Sequence, residues 1–333
     1  IIANKFGNYT GMVRFYMCCL EQLEIKRELV LTCNRTNGKF DPGFDTWNFL
    51  DSYLIYLPGS GMFFSPTDIL SRVGFPSPEY TGQKGLFIKE VDLGEVKSGI
   101  AKMKEIGYQP YTASASNLSA VVNFNADLSE TQVNLTNTFT GYGAYYTQPI
   151  MNLFSDLRKR EFQESLLKNT GEDAKLDKMD MSGYAEGDIL KNPFVVNGLL
   201  KSPSLLEKAG NKYLFKIGLL IGPQAEMYQE SARKTPVEIT YTHGYARKII
   251  LTVPEGYKIS GLESLKMNTT LMEDGQVSAE FTSEYQLKDN TLEVTVLENY
   301  RKLLYPIDKF EDYRKVINAA ANFNKIVLIL EKK

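Results

Sequence analysis

The sequence is short of the residues that do most enzymatic chemistry. It holds three cysteines, one histidine and one tryptophan in 333 residues. Cys18, Cys19 and Cys33 all fall in the first tenth of the chain, with no CxxC pair and no spacing of a disulfide framework. His243 is far from all three. A zinc site of the usual kind needs four N or S ligands, so none is expected. Charge of one sign is also lacking: the net charge is -2, which gives no pull towards nucleic acid or anionic membranes. No apolar run approaches the roughly 18 residues of a spanning helix, and Tyr213 to Ile221 is short and carries Lys216. No glycine-rich stretch has phosphate-loop spacing, so no nucleotide cofactor is expected. The chain begins at Ile1-Ile2 rather than Met. The expectation is that an N-terminal portion precedes it, with which this chain would associate.

What is present is a soluble globular composition, 43% hydrophobic and 23% charged, long enough for two or three domains. Val13, Tyr16, Met17, Leu20 and Leu23 recur at helical spacing and predict a helix over Thr10 to Leu23. Glu28 to Arg35, Asp51 to Leu57 and Phe63 to Asp68 read as extended segments, the last two joined by Pro58-Gly59-Ser60-Gly61. A Gly/Pro loop from Gly74 leads into a strand ending near Ile88. From about Gln109 the character changes. Asn117 to Phe124 and Thr131 to Phe139 predict an antiparallel pair turning at Asp127-Leu128-Ser129. Pro149 to Leu167 predicts a helix with Leu153, Phe154, Leu157 and Leu166 inward. The acidic stretch Gly171 to Asp188 reads as loop, and strands resume at Phe194 to Leu199 and Tyr213 to Leu220. Beyond Pro236, four runs predict sandwich strands: Val237 to Tyr241, Arg247 to Val253, Gln276 to Tyr285 and Thr291 to Leu297. Glu273-Asp274-Gly275 and Lys288-Asp289-Asn290 are their turns. Asp308 to Phe323 predicts a helix and Lys325 to Leu330 a closing strand.

Two sets of residues carry a family resemblance. Asn4-Lys5-Phe6-Gly7-Asn8-Tyr9 lies at a set distance before Leu23-Glu24-Ile25, and Ser65-Pro66-Thr67 follows two strands later. This pattern resembles the rear half of a transglutaminase-like, papain-related cysteine enzyme core. Further on, Arg233-Lys234-Thr235-Pro236-Val237, Val253-Pro254-Glu255-Gly256-Tyr257 and the closing helix–strand pair resemble the β-rich C-terminal domains of Bacteroidetes-type envelope proteins. Those domains have no assigned activity. The resemblance implies a periplasmic or cell-envelope location. It also implies a Cys at the helix start, a His on the next strand and an Asp before Pro-Thr. By spacing those places hold Tyr9, Leu50 or Asp51, and Ser65.

The chemistry behind that pattern explains what its loss means. A thiol in the first helical turn feels the positive end of the helix dipole, which favours thiolate. The His takes a proton and the Asp orients the His. A phenol titrates near ~10 and is a poor acyl acceptor without a base. The sequence therefore predicts a degenerate scaffold with no catalytic residue at Tyr9, Asp51 or Ser65. Cys18 and Cys19 would sit two to three turns along the helix, where the dipole has faded, and read as core residues, as does Cys33.

Other candidates are weighed against ordinary structural roles. Glu172, Asp173, Asp177, Asp180, Glu186 and Asp188 could hold calcium, but Asp177 to Gly183 does not fit an EF-hand loop and an acidic loop is usually solvated. His243 reads as a strand-end residue. Gly141 to Tyr146 reads as a flexible aromatic loop that either stacks on a ligand or covers a sheet edge. Asn134-Leu135-Thr136 is a glycosylation pattern of little weight in a chain of bacterial character. In the family's layout Tyr9, Trp47, Phe49 and Tyr53 surround the former catalytic positions and could bind an extended peptide or a glycan, with Trp47 as anchor. The alternative is that Trp47 packs into its own loop.

The fold class expected is α+β: a partial transglutaminase-like core over residues 1–108, then β-sandwich-like antiparallel domains. These are a β-rich segment with an inserted helix over 109–235 and a sandwich over 236–333, either separate or as one domain. The function expected is a non-catalytic binding or structural role. The alternative is an active cysteine hydrolase or transglutaminase-like enzyme using a displaced Cys or groups outside this chain.

Overall fold

The structure is a computed structural model that describes residues 1–3, 6–44, 46–168, 174–228 and 231–333. The chain forms two compact units, Ile1–Gln109 and Pro110–Lys333. The change of character near Gln109 marks their junction.

The first unit holds α1 (Tyr9–Gln22), β1 (Glu28–Thr32), β2 (Ser52–Leu57), β3 (Met62–Phe64), β4 (Gln83–Asp92) and β5 (Lys97–Ile106). The strands make one antiparallel sheet in the order β3-β2-β1-β4-β5. Asn8 caps α1, its side-chain oxygen accepting the Gly11 N–H at 2.8 Å. Val30, Leu54, Phe87 and Ile106 form the buried core, with Tyr56, Phe63 and Tyr80 packed against it. The expected helix face is only partly right. Val13 is buried, whereas Tyr16 and Leu23 are exposed and Leu20 is half-buried. Periodicity finds an apolar stripe, but the surface opposite decides how much of it is covered. Tyr16 makes edge contacts with Phe64 and Phe15, 5.6 and 6.0 Å between ring centres.

The second unit contains, in order, β6 (Ala115–Phe124), β7 (Thr131–Thr140), α2 (Tyr142–Tyr145), α3 (Asp156–Lys168), β8 (Lys175–Ser182) and β9 (Phe194–Ser202). Then come β10 (Leu206–Ala209), β11 (Lys212–Phe215), β12 (Val237–Glu238), β13 (His243–Thr252), β14 (Tyr257–Ser260), β15 (Met267–Glu273), β16 (Gln276–Lys288) and β17 (Thr291–Tyr300). β18 (Leu304–Tyr305), α4 (Phe310–Asn324) and β19 (Leu328–Lys332) complete it. Eight strands make one sheet in the order β15-β16-β17-β13-β6-β7-β9-β8, and four make another in the order β10-β11-β19-β14. Strands from both sides of residue 235 share the large sheet, so Pro110–Lys333 is one unit. The expected all-antiparallel pairing fails at β6 and β13, which run parallel. One face of the large sheet is covered by the small sheet and by α4: Phe124 meets Phe215 edge-on at 5.4 Å, and Phe281 meets Phe323 at 6.0 Å. This gives a two-layer β-rich α+β arrangement.

Several local expectations are corrected. The helix expected from Pro149 breaks at Phe154, where a 3-10 turn (Gln148–Leu153) ends before α3. Its inner residue is Leu167, whereas Leu153 and Leu157 are exposed. Residues 175–182, read as loop, form edge strand β8: its charged residues face water, so its composition imitates a loop. Gly171, Glu172 and Asp173 lie outside the described residues. Gly141 to Tyr146 is no flexible loop. Tyr142 and Tyr145 are buried, and the Tyr142 N–H donates to Ser114 Oγ at 3.0 Å. Gly141 has a φ of 51°, and a Cβ there would come within 2.1 Å of the Ala113 carbonyl oxygen, so only glycine fits. The Tyr213 to Leu220 run is β11 followed by a 3-10 turn, and Val237 to Tyr241 pairs over only two residues.

Candidate functional site

Tyr9 is the first residue of α1 and is 44% exposed. Its ring lies 5.4 Å from that of Tyr53 on β2. Asp51 precedes β2, is exposed, and accepts the Ser52 hydroxyl at 2.8 Å. Tyr80 joins the group. Burial raises its hydroxyl pKa, the Ser52 bond opposes this, and Tyr9, Asp51 and Glu79 add to the rise. The structure thus brings Tyr9, Tyr53 and Asp51 into one neighbourhood.

Ser65 follows β3 and is buried. Its N–H donates to Ser71 Oγ at 2.8 Å, and its hydroxyl oxygen accepts the Ser77 N–H at 3.0 Å. Ser77 in turn donates to Asp68 Oδ2 at 2.6 Å. Ser65 therefore ties together the loop after β3. Phe49 packs with Phe40 and Phe44, at 5.9 and 6.4 Å. Gln83 anchors that loop: its Oε1 accepts the Phe40 N–H and its Nε2 donates to the Cys33 carbonyl. Trp47 is 83% exposed and does not pack into its loop. Leu50 closes the 3-10 turn that carries Trp47 and is half-buried.

The cysteines divide. Cys33 is buried, its Sγ donating to the Gly38 carbonyl at 3.0 Å. Burial pushes its thiol pKa up, and the Asp51 charge pushes it further. Cys19 is half-buried, and Cys18 is exposed, which corrects its assignment to the core. Five residues beyond Val13, Cys18 has rotated well off the buried face. His243 opens β13, as expected of a strand-end residue. Burial lowers its pKa, while its bond to the Tyr241 carbonyl and the Glu298 charge oppose that shift.

Of the acidic candidates, Asp177 pairs with Lys201 at 3.0 Å and Asp188 accepts from Asn192 at 2.7 Å. Among the described residues no three His, Cys, Asp or Glu side chains are placed to hold a metal ion. Glu172 and Asp173 lie outside them.

A second polar cluster escaped sequence reading. His243, Tyr245 and Arg247 alternate on β13 opposite Glu298 and Tyr300 on β17, with Tyr245 facing Glu298 and His243 facing Tyr300. The His-x-Tyr-x-Arg alternation in a strand was the available signal.

The comparisons with known proteins add little to this geometry. A family described as a domain of unknown function with a solved structure, DUF3858, matches residues 211–330. That range runs from β11 to β19. No curated protein matches. Among solved structures the chain is similar to one from Parabacteroides distasonis ATCC 8503 described as a "putative protease", at 13% identity and a TM-score of 0.41, over 93% of this chain. The chain spans 41% of that structure's length. No helix among the described residues is long and apolar enough to cross a membrane, which says nothing of strands.

Proposed function

We propose that Ile1–Gln109 is a transglutaminase-like core that has lost its cysteine chemistry and serves as a binding module for an extended peptide or glycan strand of the bacterial cell envelope. The observation that carries this reading is Tyr9. It stands first in a capped helix, against Tyr53 and beside Asp51, where the family pattern requires a thiol and its base. A phenol, a carboxylate and a buried serine do not reproduce a nucleophile, base and orienter acting as a unit. Exposed aromatic surface remains at Tyr9 and Trp47, and such side chains supply contact area at low entropic cost. The envelope location rests on the resemblance alone.

Trp47 is the only tryptophan and is exposed, so its emission reports directly on this surface. Titration with envelope-derived peptides and peptidoglycan fragments is expected to shift that emission to the blue. Trp47→Ala is expected to abolish binding while leaving the circular dichroism unchanged. Absence of binding at millimolar concentration would leave a structural role as the better reading.

One observation favours the alternative of an active cysteine enzyme: Cys18 is exposed on α1. It stands nine residues beyond Tyr9, roughly 13 Å along the axis at ~1.5 Å per residue, beyond reach of the helix-end field. Fast alkylation at neutral pH, together with peptide turnover lost in Cys18→Ser, would establish that alternative.

A further inference from the structure

The Pro110–Lys333 unit carries a polar cleft that does not depend on the reading of Tyr9. It lies on the covered face of the eight-stranded sheet. Cross-strand register arranges that face in rows. Val122, Val133, Leu251 and Leu292 form one row and Ala120, Leu135, Ile249 and Val294 the next, all buried and apolar. The row after that contains Asn137 and Arg247, and the next contains Ser116, Tyr245 and Glu298. Polar side chains thus enter this face over two successive levels, Arg247 and Asn137 beside Leu118 and Val296, then Ser116, Tyr245 and Glu298 beside Phe139, and they adjoin one another as a patch.

Two adjoining cavities of about 260 and 280 Å³ open over this patch. They share Tyr245, Glu298 and Gln224; Phe139 lines the first, and Tyr313 of α4 lines the second. Together they fall within the ~300–1,000 Å³ typical of small-molecule sites.

The floor is an ion pair. Arg247 Nη1 donates to Glu298 Oε2 at 2.7 Å, with the two side chains 5% and 6% exposed. The Tyr300 hydroxyl donates to Glu298 Oε1 at 2.6 Å, and the Arg247 guanidinium sits 4.7 Å from the centre of the Tyr245 ring. Above the floor, the Ser116 and Asn137 side chains have no hydrogen-bond partner among the described residues, although both line the first cavity.

This array selects the charge of its ligand. An anion on the remaining guanidinium N–H groups would lie against the Glu298 carboxylate, and a cation on that carboxylate would lie against Arg247, so each would meet a buried like charge. Both arrangements are costly. A neutral hydroxyl accepts from the guanidinium and donates to the carboxylate without separating them. A ring bearing several hydroxyls can also satisfy Ser116 and Asn137 while its C–H face lies on an aromatic side chain such as Phe139 or Tyr245. Two lobes of this size suit one or two rings better than an extended chain. We propose that this cleft binds a neutral saccharide of one or two sugar units.

The test uses the whole chain and calorimetric titration. Its probes are glucose, galactose, mannose, N-acetylglucosamine, maltose, lactose and chitobiose, with inorganic phosphate, acetate and trialanine as the anionic and peptide arms. At least one neutral sugar is expected to saturate with a Kd below about 10 mM. Asn137→Leu, which leaves the ion pair intact, is expected to weaken binding at least about tenfold. Arg247→Lys is expected to do the same, with both folds checked by circular dichroism, and Glu293→Gln, at a solvated pair on the opposite face of the same sheet, is expected to leave sugar binding unchanged. The proposal is overturned if no sugar saturates, or if only phosphate, acetate or trialanine does. It is equally overturned if sugar binding survives Asn137→Leu or is lost in Glu293→Gln.

Discussion

The Arg247–Glu298 pair permits a test of burial at constant geometry. The same two strands carry a second pair, Lys248–Glu293, at 2.8 Å against 2.7 Å. The side chains of that second pair are 48% and 44% exposed, against 5% and 6% for the first. Glu298→Gln leaves Arg247 charged, buried and without a counter-ion, and leaves one amide oxygen to serve both Arg247 and Tyr300. Breaking a buried pair costs about 3–5 kcal/mol. Because the amide keeps one acceptor, about 3 kcal/mol is expected. Glu293→Gln removes a solvated pair, for which about 0–1 kcal/mol is typical, and less than about 0.5 kcal/mol is expected. The double change Arg247→Met/Glu298→Leu removes both charges together and is expected to recover most of the loss. Trp47 lies in the first unit, so tryptophan emission does not observe these strands. Peptide-resolved hydrogen exchange over β13 and β17 does. Equal losses for Glu298→Gln and Glu293→Gln would refute the reasoning, as would a double variant no more stable than Glu298→Gln.

Three further outcomes are expected. His243 is the one histidine, and burial lowers its pKa in the folded state. The unfolded chain therefore takes up a proton near ~6.5 while the fold resists it, so stability falls as pH drops below that value. Chemical denaturation followed by circular dichroism should show this slope in the native chain and its loss in His243→Gln. Alkylation followed by mass spectrometry should label Cys18 in the folded protein and Cys33 only after unfolding, since the Cys33 thiol is buried and held protonated by burial and by Asp51; equal labelling rates would contradict the placement of β1. Tyr9→Cys should give no acyl-enzyme burst with peptide esters, because the first unit holds no histidine to act as its base.

Legibility followed the range of the interaction. The turn at Asp274-Gly275 was readable because both residues take positive φ, 52° and 75°, as a tight hairpin requires. Asp289, at 55°, marks the next hairpin in the same way. α1 and α4 were readable from periodicity, and the unit junction from the change in composition. β15 and β8 were not, the first being mostly polar and the second a charged edge. The candidate site was legible in part: Tyr9, Tyr53 and Asp51 do come together, whereas Ser65 is absorbed into its loop and Phe49 into a cluster with Phe40 and Phe44.

By itself the sequence determined α1, α4 and many of the strands, the hairpin turns at Asp274-Gly275 and Asp289, and that no thiol begins α1. Each of these depends on a residue and its neighbours within a few positions, through φ preference, spacing and side-chain type. Tertiary structure alone decided that β6 lies parallel to β13 across more than a hundred residues of chain. It alone decided that Cys18 faces water while Cys33 does not, and that Arg247 meets Glu298 at the floor of a cavity. Those outcomes depend on which surfaces bury one another. A strand's partner is chosen by the total apolar area and the hydrogen bonds satisfied over the whole unit, and no local pattern records that sum.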